Sequence, residues 1–255
     1  MNETMNGVLT NKKQENIKHK LADFFRSYTF SLLIALIVLC IVMSILSPYF
    51  FTVKNIMNIG LATSVSGTMV AGLTVYMLMG SLELSQYATA ALSQVIMGVL
   101  MVKFGLPVWA AILCALITSL LCGVTNATLL TKAKIPPIIV TLGTMSIFRA
   151  LAYTITDARN IPLQSPTLRF IGQGRILGIP TSMWVMLIAF LVAGFILNYT
   201  AYGRKVYAVG ANPRAAHLSG INVNRTRFIG MLIASFSAGI AGVLLSSEKC
   251  TTLLT

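Results

Sequence analysis

Charge is what this sequence has least of. Only 10% of its 255 residues are Asp, Glu, Lys or Arg, against roughly 25% in soluble globular proteins, too few to coat a water-facing surface. Disorder is excluded as well, because disordered chains are poor in apolar residues and this one is 56% hydrophobic, with a mean hydropathy of +0.82. Acids are scarcest, six against nineteen bases. The four cysteines form no secreted disulfide framework. Cys40, Cys114 and Cys122 lie in apolar runs, and Cys114 and Cys122, on one helix, stand about 12 Å apart. His217 is isolated and proposes no metal site. No G-x-x-x-x-G-K-[ST] occurs, so the chain has no P-loop with which to bind ATP.

What the chain has instead is long charge-free runs. A bilayer core needs about 20 apolar residues of helix and tolerates few charges. Arg26 to Lys54 brackets 27 uncharged residues, Lys54 to Glu83 brackets 28, Glu83 to Lys103 brackets 19 and Lys103 to Lys132 another 28. Arg175 to Arg204 gives 28 and Arg227 to Glu248 gives 20. Residues 135–156 read as a span interrupted by Arg149. The fold class is therefore all-α, a polytopic transmembrane bundle of about seven spans.

The net charge of +13 fits cytoplasmic loops better than a nucleic-acid partner, because basic residues collect on the inner side and set orientation. With the N-terminus cytoplasmic, the inside holds Lys12, Lys13, Lys18, Lys20, Arg26, Lys132, Lys134, Arg204, Lys205, Arg214, Arg225 and Arg227. The outside holds Lys54, Lys103, Arg159, Arg169 and Arg175. Twelve against five makes the N-terminus cytoplasmic. The apolar run after the basic start is too long for a signal peptide and leads into Ser47-Pro48-Tyr49 with no A-x-A-like cleavage site. The chain divides into a cytoplasmic basic tail at 1–28, a transmembrane domain at 29–247 that includes a cytoplasmic segment at 199–227, and a short tail at 248–255.

Two helices carry small residues every fourth position: Gly230, Ala234, Ala238 and Gly242 on the last span, and Gly60, Ser64, Thr68 and Gly72 on the second. Such faces let helix backbones approach closely. Within the longest inner connection, Asn212-Pro213-Arg214-Ala215-Ala216-His217-Leu218-Ser219-Gly220 has Asn at an N-cap, Pro at the first helical position and Gly where a left-handed C-cap falls. It predicts a helix of about two turns, too short to stand alone in water. Ala215, Ala216 and Leu218 are expected to bury against a partner or against the bundle itself.

Residues 203–223, GRKVYAVGANPRAAHLSGINV, resemble the cytoplasmic signature of ribose-type sugar permeases, the membrane subunits of bacterial ABC importers. Residues 237–242 (SAGIAG), 138–149 (IIVTLGTMSIFR) and 80–85 (GSLELS) are similar to further blocks of that family, and the resemblance runs from about 30 to 247. It departs where Ser81 stands for Gly, Glu83 for Asp, and Gln86-Tyr87 for Val-Gly. Family members also run longer, so a truncated or fragmentary permease is expected. The resemblance implies ATPase coupling at Asn212 to Gly220 and a translocation pathway near Glu83, Ser85, Thr141 and Arg149. It implies an ABC ATPase partner holding ATP and Mg, an extracytoplasmic sugar-binding protein, a second permease copy and a bacterial inner membrane. No cofactor is expected on this chain, and no catalytic residue.

Intramembrane charges default to a functional hypothesis. Glu83 is expected near the cytoplasmic end of spans two and three. Arg149, about 21 Å along a helix from Ile135, is expected in the outer half of the bilayer, snorkelling outward or bonding to sugar or bundle. Which of Tyr76, Tyr87, Tyr153 or Trp184 faces a cavity stays open. The rivals are an ion-coupled secondary transporter in which Glu83 titrates and a seven-helix receptor or retinal protein. The receptor fails on orientation and on a last span without an internal lysine.

Overall fold

The computed structural model describes residues 28–252; most of the basic tail expected at 1–28 lies outside them. Ten helices and one hairpin occur among the described residues: α1 Tyr28–Leu46, α2 Val53–Met77, α3 Gln86–Val102, α4 Val108–Thr131, α5 Pro137–Thr156 and α6 Pro166–Gln173 come first. The hairpin β1 Arg175–Ile176 and β2 Ile179–Pro180 follows, then α7 Thr181–Tyr199, α8 Ala201–Ala211, α9 Pro213–Leu218 and α10 Val223–Lys249. Five helices (α2, α4, α5, α7 and α10) are long and apolar enough to cross a bilayer, and α1 and α3 are shorter apolar helices. These seven fill the places expected from the charge-free runs, and the chain is a helical, multi-pass membrane protein.

The chain divides between Ile56 and Met57 into two units. In the first, α1 is apolar on every side, as a helix facing lipid is. A turn follows in which Thr52 caps α2: its hydroxyl accepts from Asn55 N–H at 3.3 Å and donates to the Tyr49 carbonyl at 2.8 Å.

In the second unit α10 is the central element, packed mainly against α4 and α3. Small residues make that possible. Gly230, Ala234, Ala238 and Gly242 are all buried. Gly230 sits under the Met79 methyl and Gly242 under the Ala90 carbonyl. A neighbouring face sets Gly239 against Ser119 of α4, while Gly123 of α4 meets Ser235. In lipid, where no hydrophobic force draws helices together, this close packing is the cohesive term.

The connection between α5 and α7 differs from a plain loop. Ser165 caps α6 by accepting from Leu168 N–H at 3.4 Å, and the hairpin turns through Leu177 and Gly178 at φ +55° and +80°. The hairpin takes the first part of the run at 176–203, so the span begins only at Thr181. Gln173 donates to the Glu248 carbonyl at 2.6 Å. Beyond α10, Leu163 N–H donates to the Cys250 carbonyl at 2.8 Å and Thr252 N–H to the Ile161 carbonyl at 3.0 Å.

Candidate functional site

Helix α2 closes in a turn, with Gly80 N–H donating to the Met77 carbonyl at 2.9 Å and Gly80 at φ +70°. Residues 81–85 then run without helix until α3 starts at Gln86. Along them burial alternates: Ser81, Glu83 and Ser85 are buried while Leu82 and Leu84 are exposed. Gln86 donates through Nε2 to the Ala234 carbonyl at 3.1 Å, and Ala234 lies about 17 Å along α10 from its start. So α3 begins near mid-span. Helix α3 runs 17 residues, about 26 Å, from there to Val102. Non-helical backbone at such depth is tolerated only where protein buries it or a cavity lines it.

Glu83 is held inside this break. Its Oε1 accepts from Ser85 N–H at 2.7 Å and from the Ser85 hydroxyl, and Asn126 Nδ2 of α4 donates to Ser85 Oγ at 2.9 Å. Asn126 lies about 8 Å inside the C-terminal end of α4. Glu83 therefore sits within the bundle, deeper than the expected position at its cytoplasmic end, because the chain turns back inward after Gly80. Glu83 Oε2 and Asn126 Oδ1 are buried without a hydrogen-bond partner. Among the described residues the one ion pair is Lys249 with Glu248, at 3.4 Å. Asn126 is the residue that sequence reasoning missed, since one amide inside an apolar run carries no pattern.

The four pathway residues do not converge. Glu83 and Ser85 are in contact. Thr141 is buried on α5 with its hydroxyl returned to its own helix, donating to the Pro137 carbonyl at 2.9 Å. Arg149 is exposed further along α5, its guanidinium 6.0 Å from the centre of the Tyr153 ring. The aromatics are also sorted. Tyr76 is 1% exposed, and Trp184 donates to the Ile176 carbonyl at 3.2 Å. Tyr87 lines a cavity of about 250 Å³ between α2, α3 and α10 with Ser66, Gln94 and Glu248. Its hydroxyl is 3.3 Å from Ser66 Oγ, and Gln94 accepts from Ser246 at 2.9 Å.

The connection expected to be cytoplasmic, at 199–227, is mostly helical. Thr200 caps α8 by accepting from Gly203 N–H at 3.1 Å. Helix α8 buries Val206 and Val209 fully and lies so close to Leu78 that a Cβ on Gly210 would collide with the Leu78 carbonyl. Tyr202 donates to the Thr226 carbonyl at 2.9 Å; burial pushes its phenol above the usual tyrosine range. Helix α9 forms where Asn212, Pro213 and Gly220 predict it. Asn212 Oδ1 accepts from Arg214 and Ala215 N–H at 3.0 and 3.1 Å. Gly220 adopts φ +81°, and Gly220 and Ile221 N–H close on the His217 and Ala216 carbonyls, each at 3.0 Å, the pattern of a Schellman motif. Ala216 is buried in the chain's own core. Pro213, Arg214, Ala215, His217 and Ser219 are exposed, and Leu218 is 82% exposed. Of the three apolar residues expected to bury, only Ala216 is covered by the bundle, because the six-residue helix turns one side to α8.

The family described as branched-chain amino acid transport system / permease component matches residues 55–250. The ribose import permease protein RbsC of Haemophilus influenzae is 36% identical over 219 residues, 84% of this chain and 68% of that protein. RbsC of Bacillus subtilis is 36% identical over 217 residues, 84% of this chain and 67% of that protein. The L-arabinose transport system permease protein AraH of Escherichia coli is 32% identical over 219 residues, 86% of this chain and 66% of that protein. The chain thus spans about two thirds of the length of these relatives. No solved structure matches it. The chain belongs to this permease-component family, alongside its ribose-type sugar importers.

Proposed function

We propose that this chain is the membrane permease subunit of an ATP-driven ABC importer that carries a monosaccharide such as ribose or a related sugar across a bacterial inner membrane. The observation that carries this reading is a line of contact from the cytoplasmic face to the broken span. Helix α9 offers Arg214, Ala215, His217 and Leu218 to a partner, α9 packs on α8, and α8 rests through Gly210 on the Leu78 carbonyl, two residues before the break at Gly80. A partner ATPase, holding ATP and Mg, would dock on Asn212 to Gly220. Its closure would shift α9 and α8 as one body against Leu78 and Met79. The segment after Gly80 lacks the i→i−4 ladder and bends more easily than a helix, so the displacement is absorbed there and opens or closes the polar wall of Ser81, Glu83 and Ser85.

A sugar delivered by an extracytoplasmic binding protein would enter between this chain and a second permease copy. The cavity at Tyr87 has what a pyranose or furanose ring needs, an aromatic face beside hydroxyl and amide groups. Substituting Ala215→Glu tests the docking surface. Ala215 is exposed, so membrane insertion is retained, and the ATPase subunit of the importer fails to co-purify with the full chain; undiminished co-purification sinks the reading.

Glu83, buried with one oxygen unpartnered, favours a second reading, an ion-coupled transporter. Uptake by this chain alone in proteoliposomes under a proton gradient, lost in Glu83→Gln, decides for it.

A further inference from the structure

A second polar cavity, of about 290 Å³, opens at the cytoplasmic ends of α4, α5 and α10. Two cations line it, Lys134 from the α4–α5 turn and Arg227 from the first turns of α10, together with Thr131, Asn224 and Tyr76. No acid lines it. Of the acids among the described residues, Asp157 and Glu248 belong to the outer ends of α5 and α10, and Glu83 is turned to Ser85. Arg227 Nε is buried without a hydrogen-bond partner, and a guanidinium donor kept from both water and protein is a defect unless something else accepts from it.

The backbone adds to the same sign. Lys134 adopts φ +57°, a left-handed conformation that a long side chain rarely takes. Helix α5 starts at Pro136 and Pro137 with no side-chain cap, so its positive end faces the cavity uncompensated. Further along α5 from Pro137, which lines the cavity, Ile138 and Leu142, one turn apart, are 47% and 44% exposed. They form an apolar track rising from a cationic mouth.

We propose that this cavity binds a phosphate group, carried by an anionic phospholipid of the cytoplasmic leaflet, with Arg227 and Lys134 on the phosphate oxygens and the acyl chains along Ile138 and Leu142. Basic pockets between helices on the cytoplasmic side are suited to such head groups, and the planar guanidinium matches phosphate geometry. The bound lipid would complete the Arg227 donor and fasten the start of α10 to the α4–α5 turn. No residue of α9 lines the site.

The test titrates the delipidated full chain with phosphatidylglycerol, with phosphatidylcholine of the same acyl chains, and with inorganic phosphate, read by native mass spectrometry. The proposal expects one phosphatidylglycerol per chain, retained at least tenfold better than phosphatidylcholine. Lys134→Gln and Arg227→Gln each reduce that preference at least fivefold. Lys132→Gln, which removes the same charge from an exposed position outside the cavity, leaves it unchanged. Equal retention of the two lipids overturns the proposal, and so does an equal loss in Lys132→Gln. Stoichiometric inorganic phosphate without lipid selectivity overturns the lipid assignment. Unchanged lipid selectivity in Arg227→Gln with loss of ATPase co-purification would assign the cations to the protein partner instead.

Discussion

Three side chains carry most of the site. Glu83 accepts two hydrogen bonds from Ser85 on one oxygen, and Asn126 fixes Ser85 from the neighbouring helix. Glu83→Leu removes the acceptor and leaves buried Ser85 donors unpaired, at a cost of about 1–3 kcal/mol. The expected result is a lowered unfolding temperature of the purified protein in detergent, with Glu83→Gln, which keeps an oxygen in place, close to wild type. Tyr87 belongs to the transport step instead. Tyr87 lines the cavity and is 63% exposed, so Tyr87→Ala is expected to leave thermal stability within about 0.5 kcal/mol and to raise the substrate concentration for half-maximal uptake. Uptake kinetics of the variant at several sugar concentrations check this; an unchanged curve removes Tyr87 from the pathway.

At the level of elements, the short helices on the cytoplasmic side are held by caps and by close backbone contact. Asn212→Ala removes the side chain that two N–H groups of α9 depend on, and the expected loss is about 1 kcal/mol. It is read as faster amide exchange confined to residues 213–220. Gly210→Val drives a branched side chain into the Leu78 carbonyl. It is expected to lift α8 off α2 and uncouple ATP hydrolysis from transport while the ATPase still binds. Helix α9 was legible in the sequence because its signals are local: Asn212, Pro213 and Gly220 each act within their own turn. Helix α8 was not. Gly203 and Gly210 lower its propensity, and it is held by contacts with Leu78 and Thr226, distant in sequence. The break at 81–85 was hidden for a related reason. Leu82 and Leu84 keep the hydropathy high, so charge counting extends span two to 82, and only Gly80 at φ +70° and the tertiary bond from Gln86 to Ala234 fix where helix stops and starts.

For the molecule as a whole, composition points to the bilayer as solvent, and seventeen of the nineteen bases, twelve against five, predict the orientation. The structure adds two exposed markers at opposite ends, Leu177 at the hairpin tip, 88% exposed, and Leu218 on α9, 82% exposed. In a cysteine-free background, a membrane-impermeant maleimide added to intact cells whose outer face is accessible is expected to label Leu177→Cys and to spare Leu218→Cys; the reverse pattern inverts the topology. The stripe of Gly230, Ala234, Ala238 and Gly242 was visible in the sequence as a packing face, and its partners, Met79 and Ala90, required the fold. The most direct test of the account is the driving force for transport. The full chain is placed in proteoliposomes with the importer's ATPase and sugar-binding protein, and entry of labelled ribose is followed with ATP or with a proton gradient. The account predicts uptake that requires ATP and all the partners and is abolished by Ala215→Glu; uptake by the chain alone on a proton gradient contradicts it.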